Sequence, residues 1–103
     1  MPAVRIANGN FDPAKAADAA RLLAESERAL RDAMTRLPGL LHFYVGIDRT
    51  RGSVTNVSVW DSLEHAHQMD TLKEMLAQRP ILQAAGFTFE ASTNHETIWT
   101  ITP

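Results

Sequence analysis

Two short stretches carry side chains that could do chemistry. His42-Phe43-Tyr44 places an imidazole and a phenol two residues apart, and His65-Ala66-His67 places two imidazoles at the same spacing. Residues i and i+2 of a β-strand share a face, about 7 Å apart, so a strand at 42–44 brings His42 and Tyr44 together as candidate catalytic groups. An imidazole that titrates near neutrality can take a proton from a phenolic substrate. Making that anion is what oxygenation by dioxygen without a cofactor requires. Asn56 or Arg5 could then hold the developing oxyanion through N–H donors. The same spacing suits a hydrogen-bonded structural His–Tyr pair, and both readings stand at this level.

The second stretch depends on the element that carries it. Asp61-Ser62-Leu63-Glu64 is close to a capping box and predicts a helix from residue 62. On a helix, His65 and His67 point roughly 200° apart and cannot share a metal ion. The chain has no cysteine, so disulfides, thiolate nucleophiles and zinc–thiolate sites are excluded. Ser58 lacks the elbow motif of a serine nucleophile, and no glycine loop could cradle phosphates. The residues therefore predict neither a metal nor a cofactor.

The positioning elements follow from periodicity. Residues 3–8 form a short β-like run. Asp12-Pro13 then caps and opens a helix, in which Ala16, Ala20, Leu23, Leu30, Met34 and Leu37 recur at helical spacing until Pro38-Gly39 stops it. "LLHFYVGID" and "VTNVSVWD" alternate around the turn "RTRGS", which predicts an antiparallel hairpin. Thr71-Leu72-Lys73-Glu74 matches a capping box, so the second helix should break near Asp70 and restart. Pro80 should open a last short turn that Gly86 closes. "FTFE" and "ETIWTIT" are β-rich, the latter alternating Thr97, Trp99 and Ile101 against Ile98, Thr100 and Thr102. The order is β-α-β-β-α-β, a split-βαβ, ferredoxin-like α+β fold: a four-stranded antiparallel sheet with two helices on one face.

Strand alternation assigns Leu41, Phe43, Val45, Ile47, Val57 and Val59 to the helices. The other face then carries His42, Tyr44, Asn56, Ser58 and Trp60, with Arg5 and Trp99. Arg5, Asn56, Ser58 and Trp60 become candidate substrate-binding residues around the His42–Tyr44 pair. Such a face is too aromatic for bare water and too polar for a dry core, which predicts a homodimer enclosing a semi-polar space.

The 103 residues fit one domain, 1–103, with a modest core. A composition 45% hydrophobic and 21% charged is that of an ordinary globular chain. A net charge of -2 without a Lys/Arg cluster argues against nucleic acid or an anionic membrane as partner. No apolar run approaches the ~20 residues of a membrane span, no secretory signal is visible, and the cytoplasm is the expected location.

Pro38-Gly39, the hairpin and "VSVWDSLEHAHQMDTLKEM", in which a strand ends in Trp-Asp-Ser before a helix, resemble the dimeric α+β barrel superfamily. The resemblance is closest to its antibiotic-biosynthesis-monooxygenase-like members. It implies a homodimer with a cavity for a small hydrophobic or aromatic ligand. It also implies cofactor-free oxygenation of phenols or quinols as the leading activity. A non-catalytic ligand-binding or stress-responsive module, or an isomerase, are the alternatives in the same superfamily. Where the haem-degrading branch carries a second Trp and an iron-binding His, this chain has Met69 and Arg79, so haem chemistry is not expected.

Overall fold

A computed structural model describes residues 1–103. β1 (Ala3–Asn10) leads to Asp12, whose carboxylate accepts a hydrogen bond from the Ala14 amide at 2.9 Å. Pro13 then opens one 3-10 turn, which passes into α1 (Ala16–Thr35). The buried stripe of α1 is Ala19, Ser26, Leu30 and Met34. Gly39, at φ +81°, turns the chain into β2 (Leu40–Asp48). In the hairpin loop the Asp48 carboxylate accepts from the amides of Thr50 and Arg51 at 3.1 and 3.0 Å, and Gly52 closes the turn at φ +70°. β3 (Ser53–Trp60) follows.

α2 (Leu63–Ala66) is capped by Ser62 rather than Asp61: the Ser62 hydroxyl accepts from the His65 amide at 3.1 Å. A 3-10 turn at His67–Asp70 makes the predicted break, and α3 (Lys73–Ala84) restarts the helix. Thr71 does not cap it; Leu72 occupies that position with no side-chain bond. Pro80 lies inside α3 instead of opening a separate turn. Gly86, at φ +99°, closes the helix as predicted.

The sheet has the order β2-β3-β1-β4, with all pairings antiparallel. The architecture is thus the predicted α+β one, helices covering one face. The predicted last strand is different. Its place beside β1 is shared by β4 (Thr88–Phe89) and β5 (Thr93–Glu96). Residues 97–103 form no strand. β5 pairs with β1 up to Ala3↔Glu96, and the Thr97 amide donates to the Pro2 carbonyl at 3.0 Å. There β1 ends, so the alternating tail runs past the sheet with nothing beside it.

Two apolar clusters join sheet to helices. One holds Ala3, Leu30, Met34, Trp60, Ala66 and Met69; the other holds Phe11, Ala19, Val54, Leu82 and Phe87. No helix is long and apolar enough to cross a membrane.

Candidate functional site

The hairpin register decides which side chains meet. Asp48 opposes Ser53, and counting back gives Ile47↔Val54, Val45↔Asn56, Tyr44↔Val57 and Phe43↔Ser58. Directly opposed residues share a face. Phe43, Val45 and Ile47 do face the helices, as predicted, but their partners there are Ser58, Asn56 and Val54. The assignment of β3 is therefore reversed: Asn56, Ser58 and Trp60 are on the helix side, and Val57 and Val59 are on the open side. Arg5 opposes Ser58 from β1 and is also on the helix side. Leu41 does not join this core; it lies at the irregular step between Leu40 and His42 and is half exposed.

The six candidate residues consequently divide between the two faces. On the open face His42 and Tyr44 stack, with ring centroids 5.9 Å apart and planes at 17°. Beside them lie Val59 and Val57, then Val4 and Ile6, then His95 and Thr93, in register across the sheet. This face is more apolar than the sequence reading made it. Trp99 does not belong to it, since it lies on the tail outside the sheet.

On the helix side Ser58 and Trp60 are both 0% exposed, and the indole Nε1–H donates to the Ser58 hydroxyl at 2.8 Å. Arg5 is buried, and its guanidinium donates to Asp70 at 2.8 Å and Asn94 at 3.2 Å. The interaction ties β1 to the 3-10 turn and β5, so these donors already have partners. A buried guanidinium requires such a partner, because stripping it of water is costly. Asn56, half-buried between Val45 and Ala7, is the remaining polar group in the middle of this face.

Between α1 and β2 lies a cavity of about 860 Å³. Leu23, Leu30, Met34, Phe43, Val45 and Ile47 supply its apolar walls, while His42, Ser26, Glu27, Arg31 and Thr35 add polar groups. Glu27 and Arg31 pair with each other one helical turn apart. Ser26 donates its hydroxyl proton to the Leu23 carbonyl at 2.7 Å, which leaves the oxygen as an acceptor. The cavity falls in the range of small-molecule sites, ~300–1,000 Å³. His42 is the candidate residue that lines it; Tyr44, Arg5, Asn56, Ser58 and Trp60 do not.

The other two histidines have separate carboxylate partners. His65 Nδ1 lies 2.6 Å from Asp61, and His67 Nδ1 lies 3.1 Å from Asp70. The hydrogen bond from His65 holds the Asp61 carboxyl below the ordinary carboxylate value. Asp70 is held low by His67 first and by Arg5 second. Sequence reasoning missed the Asp61–His65 pair, although i, i+4 spacing at a helix start is the signal for it. The pair closes over Gly39, whose carbonyl accepts from the Asp61 amide at 2.9 Å. A Cβ at Gly39 would collide with both side chains. Gln68 completes the clamp by donating to the Pro38 carbonyl at 2.8 Å. These contacts set the entry to β2, and so the place of His42.

An antiparallel sheet carrying helices on one face, with an apolar cavity under the long helix, defines a small α+β ligand-pocket fold. Solved structures share it over nearly the whole chain. One is a candidate antibiotic biosynthesis monooxygenase from Deinococcus radiodurans, at 20% identity and TM-score 0.73, covering 98% of this chain and 97% of that one. A second is SnoaB, a cofactor-independent oxygenase from Streptomyces nogalater, at 16% identity and TM-score 0.67, covering 99% and 98%. A third is Rv0793 from Mycobacterium tuberculosis, at 15% identity and TM-score 0.71, covering 99% and 100%. The chain therefore has the fold of the antibiotic-biosynthesis-monooxygenase-like proteins. No family model matches the sequence, and no curated protein does.

Proposed function

We propose that this protein, as a homodimer, binds a small hydrophobic or aromatic molecule between α1 and β2 and oxygenates it without a cofactor. The cavity is the observation that carries the reading: apolar walls of sufficient volume, with a single titratable imidazole at the margin. The fold shared with a cofactor-independent oxygenase supports it. His42 acts as general base and takes the proton of a phenol or hydroquinone. The resulting anion is electron-rich enough to reduce dioxygen. Tyr44 stacks on the imidazole and orients it. Asn56, next to Val45 in the sheet, is placed to donate to the oxyanion from the helix side. Ser58 and Trp60 form the rigid floor beneath. Pairing of the open faces covers Val4, Ile6, Tyr44, Val57 and Val59.

One observation favours the second reading, a non-catalytic ligand-binding module. No carboxylate orients the His42 ring, whereas His65 and His67 each have one. Oxygen uptake with a panel of phenols and hydroquinones, with neither flavin nor metal added, decides between the two. Replacing His42 by Ala should lower turnover by roughly 10²–10⁴-fold with the dimer intact, and His65→Ala should leave it unchanged. No oxygen consumption across the panel, or normal turnover by His42→Ala, transfers the conclusion to the binding module.

A further inference from the structure

The tail after β5 is the most exposed apolar segment of the chain. Ile98 is 80% exposed, Trp99 74% and Ile101 73%, in an alternating stretch that belongs to no strand. At the other side of the sheet, β2 is a nine-residue edge strand with no neighbour on its outer side. A long bare edge is a template for pairing with another segment. The opposite edge is less suitable, because β4 and β5 are only two and four residues long.

The tail cannot serve the β2 edge of its own chain. β1 and β3 lie between β5 and β2, so at ~4.8 Å per strand the lateral distance is roughly 14 Å. Residues 97–103 span at most about 23 Å fully extended. Crossing the sheet end would use most of that reach and leave about three residues to pair. A second copy is not limited in this way, and the same length laid along its β2 would cover most of the strand.

We propose that the C-terminal segment Thr97–Thr102 of each chain adds as a strand to the β2 edge of a second copy, and that Trp99 closes the α1–β2 cavity of that copy. The inference rests on the homodimer proposed above and deepens it: each cavity is completed by the other chain. Strand parity assigns the side chains. Trp99 and Ile101 share one face and Ile98, Thr100 and Thr102 the other, so the more apolar face meets the cavity wall of Phe43, Val45 and Ile47. Area points the same way. Face-to-face contact of two four-stranded sheets removes roughly 800 Å² in all, short of the ~1,200–2,000 Å² of stable interfaces. Two arms, each burying a tryptophan worth roughly 150–250 Å² against a like area of groove, add roughly 600–1,000 Å². That total reaches the stable range.

The chain has no native cysteine, so cross-linking tests the arrangement cleanly. Thr100→Cys in one tagged chain is mixed under mild oxidant with an untagged chain carrying Tyr44→Cys, Gly46→Cys or Asp48→Cys, residues on the matching face of β2. The expected result is a covalent heterodimer from at least one pairing. Iodide quenching gives an independent reading, since Trp60 is buried in either case and the quenchable fraction reports Trp99. In the unmodified protein at dimer concentrations, Trp99 should be protected. A dimer by sedimentation that yields no cross-link, with Trp99 freely quenched, overturns the arm and leaves the dimer standing. A cross-linked dimer that consumes no oxygen with any substrate keeps the arm and removes the oxygenase reading.

Discussion

Replacing Ser58 by Ala separates the two possible roles of the Ser58–Trp60 pair. Both side chains are 0% exposed and the indole N–H reaches the hydroxyl at 2.8 Å. Removing the hydroxyl leaves a buried donor with neither a protein partner nor water, which costs about 1–3 kcal/mol. For a chain of this size each kcal/mol corresponds to ~4–8 °C in melting temperature. Trp60→Phe loses its own packing, but in the Ser58→Ala background it also removes the orphaned N–H. The double-mutant cycle should therefore show a coupling of about 1 kcal/mol or more. Urea unfolding followed by circular dichroism measures all four variants, at one protein concentration because dimer stability depends on it. If Ser58→Ala unfolds within about 0.5 kcal/mol of wild type and the cycle shows no coupling, the hydrogen bond is not structural. A ligand-facing role for Ser58 would then be restored.

Gly39→Ala should destabilise the protein by about 1 kcal/mol for the positive φ alone, and further because its methyl group displaces the Asp61–His65 pair. Adding His65→Ala should recover the second part and not the first; thermal melts without any recovery would show that the collision lies elsewhere. Acid should weaken the fold through Asp70. Its carboxyl is held low in the folded state, so the stability it contributes is present above the unfolded value, near 3.8, and is lost as pH falls through the folded one. Urea midpoints of the native chain should drop more steeply below about pH 5 than those of Asp70→Asn; parallel curves would remove Asp70 from the acid response.

The elements were legible because their signals are local. Asp12-Pro13, the 3.6-residue stripe of α1, the glycine stops and the alternation of the hairpin each act within a few residues. The candidate site was not, because it depends on which face of β3 meets the helices, and apolarity does not distinguish them. Val57 and Val59 look like core, yet they lie on the open face, while Arg5, Asn56 and Ser58 occupy the helix side. Two signals were nonetheless in the sequence. A four-residue loop after Asp48 makes odd residues of β2 oppose even residues of β3, which places Ser58 opposite Phe43. Trp60 is also the largest side chain of the hairpin, and a strand ending against two helices has its deepest room on their side. The tail could not be read from alternation alone, since a strand also needs a neighbour.

The two-sided apolarity of β3 has a consequence for how the chain reaches its native state. A strand slipped by one residue exchanges its faces, and here the exchange substitutes valines for a tryptophan, a serine and an asparagine without exposing a uniformly polar side to the core. Hydrophobic collapse therefore discriminates poorly between the native hairpin and its slipped relative, which would be a kinetic trap on an otherwise smooth landscape. Discrimination falls to the loop. Gly52 holds its left-handed turn against Phe11, whose amide donates to the Gly52 carbonyl at 2.8 Å. The loop is thus docked to the end of β1 and cannot take up an extra residue without breaking that contact. An insertion at 49–52 should slow refolding and favour aggregation well beyond its effect on equilibrium stability, because it removes the device that selects the register.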